Sequence, residues 1–201
     1  MKKTLILFLA LGLFSFSLKG QSLSVTDKSA MASRLAEFVD LSKIEDYSRI
    51  LDYSYPKLFD FVLKKDMLDV FNSIESMGID MIFEEMNLKE PSLIEDTGEI
   101  KYVLCPYNAK ISIVLISAEM RKNKNSKAMV QAFEQQFGKK NTSYDASLHK
   151  ISTQGLKQIL AIQDNKYGSE WFFMEFDTSN PQLLDLLLPV NVVEKIMAKI
   201  K

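Results

Sequence analysis

The chain has 201 residues, which suits a single domain with a hydrophobic core. Hydrophobic residues make up 47% of the sequence and charged residues 25%, so wholesale disorder, collagen and disulfide-stapled miniproteins are excluded. Lys and Arg total 25 against 26 Asp and Glu, and this balance argues against nucleic acid as the partner.

Residues 1–20 have the pattern of a secretory signal peptide. Lysines at positions 2 and 3 form a positive start, the stretch 5–14 is apolar, and a more polar stretch follows. The apolar stretch is shorter than the ~20 residues that a membrane-spanning helix needs. We therefore expect cleavage after Gly20 and a secreted or periplasmic protein of residues 21–201, with no membrane span and no lipoprotein attachment site.

The first part of the mature chain has helical periodicity. Apolar residues three and four apart predict a helix near 28–42, with Asp27 as its cap, and a second helix that ends near Tyr53. From Pro56 to Gly78 the same spacing predicts a third and a fourth helix, continuous or separate.

The period then changes to two, which is typical of β-strands. Alternation begins at Ile79 and slips across residues 84–85, which predicts a β-bulge. A hairpin turn at 96–99 follows a weak strand, and Pro106 is expected to interrupt the strand after it. Residues 113–116 are all apolar, as expected at the centre of a sheet.

A basic loop, a helix, further strands and a helical pair complete the chain. The loop at 121–127 leads into a helix at 127–137 that ends at Gly138. Asn180 caps a C-terminal helical pair at about 180–200. The remaining strand candidates lie within 143–151, 156–163 and 171–176. With no linker or repeat, the chain is predicted to form one α+β domain.

The order of these elements resembles the nuclear transport factor 2-like superfamily, which has a cystatin-like cone fold, and in particular its secreted bacterial members. Two or three helices precede the segment Tyr53–Pro56, and a bulged antiparallel sheet follows that ends in a strand such as 171–176. The resemblance covers residues 28–177. It implies N-terminal helices packed in a strongly curved antiparallel sheet whose open end forms a pocket, with a C-terminal helical extension that could cap that pocket.

The implied pocket supplies the candidate ligand-binding residues, which are aromatic residues and strand carboxylates. They are Tyr53, Tyr55, Phe59, Glu85, Tyr102, Trp171, Phe173 and Glu175. In some members of the superfamily a pocket acid moves protons next to a carbonyl, and the resemblance gives this role to Glu85 or Glu175, with Tyr102 or Tyr55 as hydrogen-bond donor. Aromatic residues at these spacings are equally typical of an ordinary core.

Motifs for familiar chemistry are missing from the sequence. It contains no G-x-G-x-x-G, Walker or G-x-S-x-G pattern, and His149 and Cys105 are too few for a zinc site. These two residues are the only candidates for a thiolate–imidazolium pair, and the alternative is a core cysteine with a surface histidine. The acids between Asp80 and Glu99 are either calcium ligands or a solvated sheet face. The basic loop either touches anionic lipid or polysaccharide or is a solvated turn.

These observations favour an exported, non-catalytic domain that binds a small apolar ligand in its cone or a protein partner through its sheet. Two alternatives stay open. One is a small isomerase or dehydratase that uses a pocket carboxylate, and the other is a structural or assembly subunit, with a homodimer among the forms considered. No catalytic residue, metal ligand or cofactor is assigned.

Overall fold

The computed structural model describes residues 22–200, so the predicted signal peptide lies outside the described residues. Within that range the chain is α+β, as predicted, with six α-helices and one six-stranded antiparallel sheet. The helices are α1 (Val25–Lys43), α2 (Tyr47–Tyr53), α3 (Lys64–Ser76), α4 (Asn123–Phe137), α5 (Pro181–Leu187) and α6 (Val190–Ile200). The strands are β1 (Ile79–Leu88), β2 (Ser92–Asp96), β3 (Ile100–Leu115), β4 (Thr142–Asp145), β5 (Lys150–Asp164) and β6 (Trp171–Glu175).

Two long strands form the middle of the curved sheet. β3 and β5 pair from Ile100–Asp164 at one end to Val114–Lys150 at the other. β1 and β2 share the outer edge of β3, and β4 and β6 share the outer edge of β5. The prediction that residues 113–116 belong to the centre of the sheet is confirmed for 113–115, because β3 has a neighbour on both sides there.

Pro106 does not interrupt β3, contrary to the prediction. Its carbonyl accepts a hydrogen bond from the Lys89 backbone N–H at 2.8 Å, on the side away from β5. In an antiparallel strand the N–H and the C=O of a residue point to the same side. The N–H that proline lacks would therefore point into the gap between β1 and β2, and the pairing of β3 with β5 loses no hydrogen bond.

The predicted bulge at residues 84–85 is confirmed. Phe83 lies opposite Ile111 and Glu85 lies opposite Lys110, so Glu84 is the extra residue of β1. A bulge lets two successive side chains point to one face of the sheet. Glu84 and Glu85 thus both lie on the face opposite to the one that Phe83 occupies.

One face of the sheet, here called the inner face, packs against α1, α2 and α4. Alternate residues of β3, from Val103 to Leu115, are buried in this core. The helices contribute buried or half-buried apolar residues, which are Met31, Leu35, Phe38, Leu41, Tyr53, Met129, Val130 and Phe133. The prediction of N-terminal helices packed in a curved antiparallel sheet is confirmed for α1 and α2. By contrast α3 has no fully buried residue among its described side chains and lies at the side of the sheet.

The C-terminal helices cover the opposite, outer face, so the expectation that they cap an inner pocket is wrong. The intervening residues of the central strands, such as Leu104 and Leu160, point to this outer face and pack against Leu184 and Ile196. Near the paired residues Leu104 and Leu160, both faces of β3 and β5 are apolar. Each face therefore needs a covering layer.

Several element boundaries differ from the predictions. Ser24 rather than Asp27 caps α1, because the Asp27 N–H donates to Ser24 Oγ at 3.0 Å. The segment from Pro56 to Gly78 forms a short 3-10 helix at Pro56–Asp60 and then the separate helix α3.

The later boundaries differ too. α4 begins at Asn123, so Lys124 and Lys127 belong to that helix and not to a loop. β5 begins at Lys150, and Gly155 therefore lies within the strand and not before it.

We predict that Tyr55→Phe lowers the free energy of unfolding by about 2 kcal/mol, because it removes the side-chain donor to Oδ2 of the buried Asp164 carboxylate and leaves only the Lys166 backbone N–H on Oδ1 in the described part of the chain. The Tyr55 hydroxyl donates to Asp164 Oδ2 at 2.7 Å, and both residues are buried. Tyr53→Phe is the matched control, since Tyr53 donates to the exposed Glu37, which water can solvate, and it should cost less than about 1 kcal/mol. Urea unfolding measures both changes, and equal losses would contradict the prediction.

Candidate functional site

The structure does not bring the eight predicted site residues into one pocket. Tyr53, Trp171 and Phe173 belong to the core of the inner face, where Trp171 is 1% and Phe173 2% exposed. Tyr55 and Tyr102 belong to the core of the outer face. The two groups lie on opposite sides of the sheet and pack as core residues, which was the alternative interpretation of these aromatics.

The tyrosine hydroxyls at positions 53 and 55 each have a carboxylate partner. The hydrogen bond to Glu37 raises the pKa of Tyr53, and burial beside Asp164 raises the pKa of Tyr55. Burial also raises the pKa of Tyr102, to about 12. All three phenols stay protonated at neutral pH, and the hydroxyls of Tyr53 and Tyr55 link distant segments of the chain by hydrogen bonds.

The two candidate acids lie on different strands at opposite edges of the sheet. Glu85 is on β1, with its carboxylate 4.0 Å from the Lys110 ammonium. Glu175 is the last residue of β6 and pairs with Lys157 at 2.9 Å. The predicted Phe59 lies in the 3-10 helix and is half-buried.

An apolar groove of about 360 Å³ runs beside β6, between the helices of the inner face and α5. We call it the β6 groove. The backbone of Tyr55 contacts the edge of β6 at Phe173, and the later residues of the strand, Met174 and Glu175, line the groove. Its apolar lining residues are Phe38, Ile50, Leu51, Leu58, Met67, Phe71, Phe173, Met174, Leu183, Leu184 and Leu187.

One end of the β6 groove is polar. Gln136, Glu175 and Asp177 line the groove and also a neighbouring depression of about 350 Å³, so they mark the place where the two meet. Partial burial raises the pKa of Asp177, but the hydrogen bonds from Ser179 lower it more, and the net pKa lies below the ordinary value. Asp177 is therefore an anion at neutral pH.

A second, mainly polar site lies on the outer face, on the half that α5 and α6 leave open. Glu84 accepts hydrogen bonds from Ser112 at 2.5 Å and Lys150 at 2.6 Å, and its carboxylate lies 2.9 Å from the Lys110 ammonium. Next to it is an open depression of about 540 Å³, lined mainly by the amide and charged side chains of Glu85, Asn87, Asn108, Lys110, Asn141 and Gln154. The ion pairs of Glu84 are satisfied within the sheet, which makes this cluster a stabilising network.

Cys105 and His149 do not form a dyad. Cys105 lies opposite Ile159, whereas His149 precedes Lys150 at the start of β5, about 30 Å away along the extended strand. Burial raises the pKa of the Cys105 thiol to about 12, so it is a core residue. The interpretation as a small apolar strand residue therefore describes Cys105 correctly.

Several residues of the two charged segments have partners within the fold. Of the acids between Asp80 and Glu99, Glu90 pairs with Lys28 and Glu95 with Lys195, and no group of three metal-ligating side chains occurs in the described part of the chain. In the segment predicted as a basic loop, Arg121 donates to the Leu115 carbonyl, and the other residues contribute to the start of α4.

Sequence reasoning did not identify the β6 groove. Its contributors Met67 and Phe71 lie in the segment from Pro56 to Gly78, whose apolar spacing predicts helices, but that spacing does not distinguish a groove wall from a buried core. Asp177 and Gln136 carry no motif: Gln136 reaches the groove through the packing of α4 against the sheet, and Asp177 lies there because it follows β6.

We predict that the stabilising effect of Glu84 disappears in acid. The hydrogen bond from Lys150, followed by those from Ser112 and Lys110, lowers the pKa of Glu84 from 4.5 to about 2. Since the folded-state pKa is the lower one, the contribution is complete above about pH 5 and is lost as the pH falls towards 2. Urea unfolding should show Glu84→Gln less stable than the wild type at pH 7 and equally stable near pH 2.

Glu85→Gln is the control for that experiment, because Glu85 is more exposed and its ammonium neighbour is 4.0 Å away. Its effect on stability should be small and nearly independent of pH. If Glu84→Gln is as mild as Glu85→Gln at pH 7, the cluster does not stabilise the sheet.

Comparisons with known proteins give no assignment: no protein-family model matches the chain, and no curated protein sequence matches it. No helix in residues 22–200 has the length and apolar character required to cross a bilayer.

Proposed function

We propose that this protein is an exported, non-catalytic binding protein, and that the β6 groove takes up a small ligand with an apolar body. The observation that carries the proposal is the groove itself, an open depression with eleven apolar lining residues, of which Phe173, Leu184 and Leu187 also belong to the hydrophobic cores. Ligand sites are typically concave and mostly apolar, with a few polar groups that orient the ligand.

The size and surroundings of the groove support this use. Its volume of about 360 Å³ falls in the range of about 300–1,000 Å³ that is usual for small-molecule sites. Its walls come from five helices as well as β6, so a ligand would contact several elements at once. Phe173 and Glu175, two of the predicted ligand-binding residues, are among the lining residues.

A protein partner is the second candidate, and a particular surface favours it. Residues 61–63 connect the 3-10 helix to α3, and all three are exposed apolar side chains. They lie between two groove residues in the chain, Leu58 and Met67. A protein could cover this apolar segment together with the groove, whereas a small ligand would occupy the groove alone.

The alternative of an isomerase or dehydratase has less support. It needs a pocket acid with a hydrogen-bonding partner poised for proton transfer, and Glu85 and Glu175 instead lie beside lysines at opposite edges of the sheet. Binding without catalysis therefore remains the preferred function.

Membership of the nuclear transport factor 2-like superfamily remains part of the proposal. Helices α1 and α2 against the inner face of a curved, bulged antiparallel sheet support it. The insertion of α4 between β3 and β4, and the helical layer on the outer face, depart from the expected cone.

We predict that export removes residues 1–20. Mass spectrometry of the protein recovered from the periplasm or medium of a producing bacterium should find Gln21 at the N-terminus. Substituting Lys2 and Lys3 with Glu should retain the full-length chain in the cell, since it removes the positive start of the signal. An uncleaved chain in the exported fraction would contradict cleavage after Gly20, and a wild-type chain found only inside the cell would contradict export.

We predict that the double variant Met67→Gln with Leu183→Gln binds a neutral apolar fluorophore, N-phenyl-1-naphthylamine, at least tenfold more weakly than the wild type. Both side chains line the groove, and glutamine replaces their apolar contact with a polar group. Fluorescence titration gives the dissociation constants.

The matched control is Val70→Gln with Leu186→Gln, which changes exposed apolar residues of the same two helices that do not line the groove. This control should bind as the wild type does. If the wild type does not bind the probe, or if both double variants bind alike, the groove is not the ligand site.

A further inference from the structure

We infer that the β6 groove selects amphiphiles by their head group, and that it prefers a cationic or hydroxyl head over a carboxylate on the same alkyl chain. This inference rests on the proposed function, because it assigns a ligand class to the same groove. It is carried by the charges at the polar end of the groove, where the head group of a bound amphiphile would lie.

Apolar side chains form most of the groove, and its polar lining residues are Ser54, Gln136, Glu175, Asp177 and Asn180. The residues from α2, α3 and α5, such as Leu51, Phe71 and Leu184, are apolar and suit an alkyl chain. The polar side chains Gln136, Glu175 and Asp177 stand where the groove opens into the neighbouring depression. An amphiphile that buries its chain beside β6 therefore presents its head to these three residues.

The charge at this end is negative. Glu175 is neutralised by Lys157, whose ammonium lies 2.9 Å away. Asp177 has no cationic side chain within 4.0 Å among residues 22–200, although the charge of Lys157 contributes to lowering its pKa. Among residues 22–200, the groups that donate to the Asp177 carboxylate are the backbone N–H and the hydroxyl of Ser179. One uncompensated negative charge thus remains next to the expected head-group position.

The two lysines near the groove already have partners. Lys57 donates to the Leu187 carbonyl at 3.0 Å. Lys157 pairs with Glu175 and also lies over the Phe137 ring, 4.7 Å from its centroid. An anionic head would have to compete with these contacts for an ammonium group, while Asp177 would repel it.

A neutral hydroxyl head group also has a hydrogen-bonding partner at the polar end of the groove. The Gln136 side chain makes no hydrogen bond within the described part of the chain, so its amide can both donate to and accept from a hydroxyl group. A cationic head is attracted by the Asp177 carboxylate. A hydroxyl head can form a hydrogen bond with the Gln136 amide and is not repelled by Asp177. A carboxylate head gains less than either.

The test compares three ligands with the same ten-carbon chain: decylammonium, decanol and decanoate. Each displaces N-phenyl-1-naphthylamine from the full mature protein at pH 7, at concentrations below micelle formation. We expect decylammonium to bind about fivefold more tightly than decanoate, with decanol between them, as for one partly exposed charge interaction. Added salt should reduce this preference.

The variant Asp177→Asn removes the charge and keeps a side chain of the same shape that can still accept from Ser179. It should bind decylammonium and decanoate with nearly equal affinity and leave decanol unchanged. The matched control is Asp185→Asn, which makes the same change in net charge at an exposed residue of α5 outside the groove lining. This control should keep the fivefold preference.

The possible results distinguish a failure of head-group selection from a failure of ligand binding in the groove. If all three ligands bind equally to the wild type, or if decanoate binds most tightly, head-group selection is wrong while the groove remains the site. If the preference survives in Asp177→Asn, Asp177 does not cause it and the inference is overturned. If none of the three ligands displaces the probe, the proposed function itself fails.

Discussion

The antiparallel pairing of β3 with β5 is the constraint on which the rest of the structure depends. The two strands pair along almost their entire length, and each pairs at its other edge with two shorter strands. Their residues point alternately to the two faces of the sheet. Near Leu104 and Leu160 the residues on both faces are apolar, and each face therefore needs a covering layer. The N-terminal helices and α4 cover one face, and the C-terminal pair covers the other.

The candidate sites lie where the helices no longer cover the sheet. At the edge of β6 the inner helices and α5 approach the same strand from the two sides of the sheet and leave an apolar groove between them. On the uncovered half of the outer face, the bulge at Glu84 turns two carboxylates towards lysines of the central strands, and the surface is polar. The groove suits ligand binding, whereas the polar network stabilises an exposed sheet.

Local signals predicted the elements well, but they did not indicate the β6 groove. The slip in alternation at residues 84–85, the turn before Ile100 and the cap at Asn180 are decided by neighbouring residues, and each prediction was correct. Pro106 misled because its effect depends on which side of β3 its missing N–H faces, and only the arrangement of β1 and β2 decides that. Five of the six predicted aromatics, all but Phe59, belong to the cores of the two faces, and for the strand residues Tyr102, Trp171 and Phe173 the face depends on register.

The amino-acid sequence by itself determined that this is an α+β protein with helices first and a bulged antiparallel sheet after them, because hydrophobic period, turn residues and caps act over a few residues. Only the tertiary structure decided that the C-terminal helices pack on the far side of the sheet, and that α3, α5 and β6 form a groove with Asp177 at its end. These relations join segments more than a hundred residues apart in the chain, from Met67 to Asp177, and they follow from how layers pack on a sheet.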